Sequence, residues 1–185
     1  MDVLGESNPH GRGRAIETYP DLLRVGQAYE AYVARQLQAH GFILEPYLTQ
    51  DEQYRLGENR FGLEIKHDRR MATTKRVYIE VAERRDAARP MMTPSGIFRA
   101  DACWLYGIGD QDRFYMFSRK RLQVIFWDGQ DGTRSDVVCR EIGTSRGFTI
   151  PVATAEAEAD RIYGGAGQWQ VCEPGIETRT AEDTK

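Results

Sequence analysis

The sequence has few cysteines and no long apolar run, and each absence excludes a class of protein. Its three cysteines are far apart and lack Cys-x-x-Cys spacing, so neither a disulfide framework nor a zinc site of the usual kind is expected. A membrane span needs a run of about 18 apolar residues, and none is present. The first 14 residues are polar, unlike a signal peptide. These absences predict a cytoplasmic protein with no membrane partner.

Length and composition are those of an ordinary globular protein. The chain has 185 residues, of which 41% are hydrophobic and 29% charged, and this size favours one domain with a single core. Residues 1–17 are polar and carry no periodic pattern, which predicts a flexible N-terminal arm. We expect the domain to cover residues 18–163 and residues 164–185 to form a flexible tail.

Charge is distributed unevenly along the chain. The net charge is −3, but residues 60–121 carry 14 Lys and Arg against 8 Asp and Glu, a local charge of +6. Residues 152–185 carry 3 against 7, a local charge of −4. A basic region of this kind suits a partner with a phosphate backbone. A solvated charged face without any partner is the alternative.

Two short segments, 62–68 and 76–82, alternate apolar and polar residues with the period of a β-strand. The alternation places Glu64 and Lys66 on one face of the first strand, and it places Glu80 on the polar face of the second. If the chain reverses between the strands, Glu64 lies opposite Glu80, with Lys66 on the diagonal. Two opposed carboxylates repel each other unless a cation lies between them. The pattern therefore favours a hard divalent ion with oxygen ligands and one nearby lysine.

Helices and strands together predict an α/β or α+β fold with a central mixed β-sheet flanked by helices. A helix with a buried stripe begins near Asp21 and ends near His40, where Gly41 stops it. The remaining predicted elements are a strand at 42–48, a polar turn region at 50–60, a loop at 86–99, a hairpin from strands 103–108 and 113–117, a strand or short helix at 122–127, and a helix at 152–163.

Four short motifs occur in an order that resembles a known family. They are Gly26-Gln-Ala-Tyr-Glu30 on the first helix, Glu64-Ile-Lys66, Tyr78-Ile-Glu80 and Pro94-Ser-Gly-Ile97. Their order and spacing resemble the PD-(D/E)XK nuclease superfamily, in particular its small phage-type members, and the layout is similar to that of Holliday junction resolvases. The resemblance covers roughly residues 20–127.

The resemblance implies a magnesium-dependent nuclease that cleaves DNA in phage or mobile-element processing or in repair. It implies a restriction-endonuclease-like core with a four-stranded mixed sheet, Mg²⁺ as cofactor with Mn²⁺ as a substitute, and a homodimer as a common assembly. By position, Glu64 and Glu80 match the two metal-binding acids of the family, Glu30 matches its accessory acid, and Lys66 matches its catalytic lysine.

Two departures from the family pattern leave alternatives open. In the family the lysine follows the second acid by two residues, and here that position is Ala82, so an inactive nuclease fold that binds DNA or a protein is an alternative. A second register takes Asp51 as the first acid and Glu64 with Lys66 as the complete Glu-x-Lys motif. Asp68 shares their face and either joins the site or caps a turn. A purely structural protein is a third hypothesis.

Candidate DNA contacts follow from the charge distribution and from the turn before Gly96. A phosphodiester is anionic, so hydrolysis needs its charge to be neutralised by metal and lysine, and binding needs basic side chains around the site. The candidates for such contacts are Arg69, Arg70, Lys75, Arg76, Arg84 and Ser95.

Overall fold

The computed structural model describes residues 19–84, 86, 88, 90–165 and 169–172, so the predicted N-terminal arm lies outside the described residues. Within these ranges no helix is both long enough and apolar enough to cross a bilayer. The helices are α1 Tyr19–Gln38, α2 Gln50–Leu56, α3 Met71–Thr74, α4 Arg119–Gln130 and α5 Val152–Glu158, with a short 3₁₀ helix at Gly96–Phe98. The strands are β1 Leu63–His67, β2 Arg76–Glu83, β3 Thr93–Pro94, β4 Leu105–Gly109, β5 Arg113–Ser118, β6 Val138–Ile142, β7 Ser145–Pro151, β8 Arg161–Gly164 and β9 Gln170–Cys172.

The strands form two sheets, and the predicted combination of helices with a mixed sheet is confirmed. The first sheet has five strands in the order β1-β4-β5-β8-β9. It is mixed, because β1 runs parallel to β4 while the other neighbours are antiparallel. The second sheet has four strands in the order β3-β2-β7-β6, all antiparallel.

The predicted pairing of β1 with β2 is wrong. Glu64 on β1 is paired with Tyr106 on β4, whereas Glu80 on β2 is paired with Gly147 on β7. The connection between β1 and β2 is not a hairpin turn, because it contains helix α3, whose Met71 is buried in the core. The chain therefore passes from one sheet to the other between the two strands.

The five-stranded sheet has an apolar cluster on each face. On one face α1 packs through Tyr29, Val33 and Leu37 against Leu63 and Ile65 of β1, as the helical period of α1 and the alternation of β1 predict. The cluster on the other face joins the two sheets and includes side chains from α4 and α5. The core thus fixes Glu64 and Lys66 on the side of β1 that faces the second sheet.

The segment before β1 differs from its predicted structure. No strand forms at 42–48, where one isolated bridge joins Pro46 to Asn59. Part of the predicted turn region is helix α2, which begins with a capping box between Thr49 and Glu52. The capping box satisfies backbone groups that the first helical turn otherwise leaves without partners. Helix α2 and the loop after it bring the chain to the start of β1.

The C-terminal elements decide one open prediction, strand or helix at 122–127, and differ from two others. The segment 122–127 is helical and lies within α4, and the predicted helix at 152–163 ends at Glu158 and is followed by β8. Part of the predicted tail belongs to the sheet, because β9 pairs with β8 and only 1% of Trp169 is exposed. The indole of Trp169 anchors this segment to the sheet, because it packs on the ring of Phe114 with centroids 5.2 Å apart.

Candidate functional site

Glu64 and Lys66 form the centre of a charged cluster on β1. Only 1% of the Glu64 side chain is exposed, and its Oε1 lies 2.9 Å from Lys66 Nζ. Its Oε2 lies 3.7 Å from Nη2 of Arg119. Among the described residues Oε2 has no hydrogen-bond partner. A buried carboxylate that is only charge-paired still has lone pairs for a further ligand.

Glu58 is the second acid of the cluster, and the sequence interpretation missed it. It lies in the loop between α2 and β1, where Oε1 is 3.6 Å from Lys66 Nζ and Oε2 accepts the backbone N–H of Ile65. The neighbouring side chain of Asn59 holds this loop against β1, because it donates to the carbonyl of Leu63 at 2.7 Å and accepts the N–H of the same residue at 3.2 Å. The loop geometry thus aims Glu58 at the lysine.

The pKa values of the cluster follow from burial and mutual charge. Burial raises the pKa of Glu58 to about 7, against the opposing effect of Lys66 and with a further contribution from Glu64. Burial also raises the pKa of Glu30 on α1, which Lys66 lowers and Glu64 raises. For Lys66, burial lowers the pKa, but Glu64 and Glu58 outweigh it and raise the value well above that of a free lysine. Lys66 is therefore cationic at neutral pH, and three acids share its field.

A second charged network lies on the far side of Glu64. The carboxylate of Asp101 has 0% exposure, accepts from Arg99 Nε at 2.5 Å and is bonded to Arg119. Burial alone would raise the pKa of Asp101, but the hydrogen bonds from Arg99 and Arg119 lower it. Arg119 therefore joins this network to the Glu64 carboxylate.

Ligand atoms of Glu64, Asp101 and Cys103 lie within 4.8 Å of one another, close enough to hold a metal ion. Two features make this group a poor site. Burial raises the pKa of the Cys103 thiol to about 11, so it is protonated at neutral pH, and a metal binds the thiolate. The Asp101 carboxylate is already bonded to two arginines. The acids around Lys66 offer carboxylate oxygens, the donor type that a hard cation prefers, but among the described residues they do not form a group of three with ligand atoms within 4.8 Å.

Glu80 lies apart from this cluster, so its predicted place opposite Glu64 is wrong. Its Oε1 accepts a hydrogen bond from Ser95 Oγ, and its Oε2 accepts one from Ser145 Oγ at 2.6 Å. The pairing register of β2 with β7 shifts directly after Glu80, and such irregularities redirect side chains in a strand. Two serines therefore hold Glu80 where the prediction placed a metal ion.

Lys66, but neither Glu58 nor Glu64, lines a cleft of about 1150 Å³ that Glu80 also lines. Lys66 lines one part of it and Glu80 another, and Tyr106 of β4 also lines the cleft. Basic side chains of Arg70 and Arg140 lie along its wall. The cleft therefore combines acidic groups, a lysine and a basic wall.

The two acids that the sequence left as options make local contacts. Asp68 accepts the N–H of Arg70 at 3.0 Å and the N–H of Tyr78 at 2.9 Å, so it caps the turn after β1 and ties that turn to β2. Asp51 lies on α2 with its side chain 79% exposed, 3.7 Å from Arg55. The structure places Glu64 beside Lys66, and the further acid next to Lys66 is Glu58 rather than Asp51.

The predicted DNA contacts fall into two groups. Arg69, Arg70 and Arg76 line the cleft, and Lys75 is exposed next to it in a left-handed conformation with φ 54°. The other two are engaged inside the protein, because Arg84 is paired with Glu141 and the buried Ser95 donates to Glu80.

The missed residues carried weak signals in the sequence. Gly57-Glu58-Asn59 was interpreted only as a turn, and Gly57 does adopt a positive φ of 100°. This turn also places the Glu58 carboxylate next to Lys66. The polar composition of the turn does not indicate that position. The network of Arg99, Asp101 and Arg119 spans up to 20 positions in the sequence, and only the fold brings these residues into contact.

Comparison of the chain with protein-family models, with curated proteins and with solved structures finds no match.

Proposed function

We propose that the protein is a metal-dependent nuclease that hydrolyses phosphodiester bonds in DNA. The observation that carries the proposal is the Glu58–Glu64–Lys66 cluster, in which Lys66 Nζ lies 2.9 Å from Glu64 and 3.6 Å from Glu58. Glu30 lies near enough for the charges of Lys66 and Glu64 to alter its pKa. Three acids share the field of one lysine, and that lysine lines the cleft. This arrangement matches the needs of phosphodiester chemistry, which requires a cation site and a fixed positive charge.

The residues fit a hard divalent cation, Mg²⁺ or its substitute Mn²⁺. The donors are carboxylate oxygens, which such ions prefer. Oε2 of Glu64 is buried and has no hydrogen-bond partner among the described residues, whereas Oε1 faces the Lys66 ammonium at 2.9 Å. Glu64 would hold the ion, and Glu30 would complete its shell directly or through water. A bound divalent ion supplies Lewis acidity and makes water a stronger nucleophile.

The side chains of the cluster supply charge and a proton acceptor. Lys66 keeps its proton at neutral pH because Glu64 and Glu58 raise its pKa, so its ammonium can donate to a non-bridging phosphate oxygen and offset negative charge. The pKa of Glu58 is about 7, which suits a group that takes and returns a proton near neutrality. In this assignment Glu58 is the general base and Lys66 orients the phosphate.

The cleft supports DNA as the substrate. Arg70 and Arg140 lie along the wall that contains Lys66, and basic walls of this kind bind the phosphate backbone. Arg76 points its guanidinium at neutral oxygens, donating to the carbonyls of Asp136 and Thr149 and to the Thr149 hydroxyl. Its charge therefore adds to the positive field of the cleft.

The same features support a restriction-endonuclease-like core around β1 and β4, with α1 packed on the outer face. The inactive-module alternative depended on Ala82 in place of a lysine. In the arrangement proposed here Glu64 and Lys66 form the Glu-x-Lys pair themselves, so position 82 has no bearing on activity.

Cleavage of supercoiled plasmid DNA tests the proposal. The wild-type chain should nick or degrade the plasmid with Mg²⁺ or Mn²⁺ and stop with EDTA. Glu58→Gln, Glu64→Gln and Lys66→Met should each lower the rate by at least about 100-fold, the usual scale for loss of a charge-stabilising or proton-transfer group.

Asp51→Asn is the matched control, because it removes an exposed acid from α2 outside the cluster. It should cleave at the wild-type rate. If the wild type does not cleave with either metal, or if all three cluster variants retain full activity, the proposal is wrong.

A further inference from the structure

Glu80 is a fixed acceptor that the proposed chemistry does not use. Its two oxygens each accept one serine hydroxyl, from Ser95 and from Ser145, and Ser145 in turn contacts the Tyr78 hydroxyl at 2.8 Å. A carboxylate has about four acceptor positions, so each oxygen retains capacity for a second donor. The serines therefore orient Glu80 without saturating it.

Tyr106 provides a donor in the same cleft. Its side chain has 0% exposure, and its hydroxyl oxygen has no hydrogen-bond partner among the described residues. A buried hydroxyl without a partner costs free energy in the unbound protein. Tyr106 lines the cleft together with Lys66 and Glu80, so a ligand in the cleft can satisfy the hydroxyl.

We propose that Glu80 and Tyr106 form a base-reading subsite that binds the Watson–Crick edge of an unpaired guanine. Guanine presents two adjacent donors, N1–H and the 2-amino group, beside the O6 acceptor. Glu80 accepts from both donors, and the Tyr106 hydroxyl donates to O6. The subsite rests on the proposed nuclease function and specifies its substrate as nucleic acid with a single-stranded guanine, since only unpaired bases expose this edge.

The charges of the cleft select a nucleotide over a cationic ligand. Arg70, Arg76 and Arg140 line it together with Lys66, and these cations repel a ligand such as an arginine side chain. A nucleotide avoids the conflict, because its neutral base meets Glu80 while its phosphate meets the basic wall. The cleft volume of about 1150 Å³ slightly exceeds the range for small-molecule sites, roughly 300–1,000 Å³, so the cleft has room for a nucleotide.

The other bases match the subsite less well. Thymine has one N–H donor between two carbonyl acceptors, which Glu80 repels. Adenine and cytosine each present one amino group and no adjacent ring N–H, so they use half of the carboxylate. The loss of a hydrogen bond to a charged group lowers affinity by about tenfold or more. Guanine selectivity of about that size is the expected signature.

Titration of the full chain with single nucleotides in EDTA tests the subsite without any cleavage. By NMR or calorimetry, dGMP should bind about tenfold more tightly than dAMP, dCMP or dTMP. GMP serves as a second arm, since equal binding of GMP and dGMP shows that the base rather than the sugar is read. Glu80→Gln should remove the preference for dGMP, and Tyr106→Phe, which keeps the shape of the core, should weaken dGMP binding about threefold.

The outcomes separate this inference from the nuclease proposal. Lys66→Met should lose cleavage and retain the preference for dGMP. A wild-type protein that cleaves DNA but binds the four deoxynucleotides equally overturns the subsite alone. A protein that prefers dGMP but never cleaves overturns the nuclease proposal alone. If Glu80→Gln fails to fold, an unchanged dGMP affinity in Tyr106→Phe is sufficient to overturn the subsite.

Discussion

Lys66 Nζ lies 2.9 Å from Oε1 of Glu64, a side chain that is 99% buried. The lysine therefore supplies the positive charge that a buried carboxylate needs, in the place where the proposed nuclease would hold a divalent ion. This relationship makes metal binding and protein stability depend on the same acid.

Replacing Lys66 with methionine should destabilise the protein and make it more responsive to metal. Removal of one partner from a buried ion pair typically costs about 3–5 kcal/mol, and since Lys66 is 38% exposed we expect about 2 kcal/mol here. Manganese should then raise the melting temperature of Lys66→Met by more than it raises that of the wild type. Differential scanning fluorimetry with and without Mn²⁺ measures both effects.

Lys75→Met is the control for this measurement, because it removes an exposed lysine close to the cleft. Its melting temperature and its response to Mn²⁺ should match those of the wild type. An equal response to Mn²⁺ in Lys66→Met and in the wild type would contradict the idea that lysine and metal compensate the same carboxylates.

The sequence was sufficient to predict the local arrangement of this pair. A two-residue period placed Glu64 and Lys66 on one face of β1 and Leu63 and Ile65 on the other, and the structure has them so. Local alternation is reliable because it depends only on strand geometry and on burial of the apolar face. In the same way, a period of three to four residues predicted the buried stripe on α1.

Strand pairing and the second acid could not be predicted in this way. The identity of a strand's neighbour depends on where the connection leads, and Met71 in α3 directs the chain into the core between two sheets. Alternation in β1 and β2 is compatible with either sheet, so it did not exclude a pairing of Glu64 with Glu80. Glu58 acts from a loop, where no periodicity exists to reveal which way a side chain points.

The buried Glu58 should make stability fall as pH rises. Burial raises its pKa to about 7 from the ordinary glutamate value of about 4.5, so the folded state binds more protons than the unfolded state between these values. By linkage, stability decreases as pH rises from about 4.5 through 7 and is constant above that, a change of about 3 kcal/mol. Urea denaturation of the wild type and of Glu58→Gln at pH 5 and pH 8 measures it.

Glu58→Gln cannot titrate at this position, so it should lose most of that pH dependence. The difference in unfolding free energy between pH 5 and pH 8 should therefore be about 3 kcal/mol smaller in the variant. Identical pH profiles for the two proteins would show that Glu58 is ionised with an ordinary pKa in the folded state.

Asp101 should stabilise the protein through its two arginines. Asp101→Asn leaves Arg99 and Arg119 without their shared carboxylate, and loss of a fully buried partner should lower the free energy of unfolding by about 3 kcal/mol. The contribution of Asp101 to stability changes with pH in the opposite direction to that of Glu58. Because the pKa of Asp101 is lowered, its contribution is present above the unfolded pKa and is lost as pH falls through the folded value. Urea denaturation at pH 7 and pH 3 measures the loss of stability in Asp101→Asn and its dependence on pH. The control Asp51→Asn should have an unfolding free energy within about 0.5 kcal/mol of the wild type.

Trp169→Ala should show that the segment after β8 is part of the domain. The indole has 1% exposure, its Nε1 donates to the carbonyl of Gln111 at 3.0 Å, and it packs on Phe114. Truncation of a buried tryptophan typically costs about 3–5 kcal/mol, because apolar contacts are lost and a cavity remains.

The control is Trp127→Ala, which removes an indole that is 58% exposed and should lower the free energy of unfolding by about 1 kcal/mol. Urea denaturation followed by circular dichroism compares the two, since that signal does not depend on tryptophan. Equal losses in the two variants would contradict the packing of β9 on the sheet, and they would favour a domain that ends at β8.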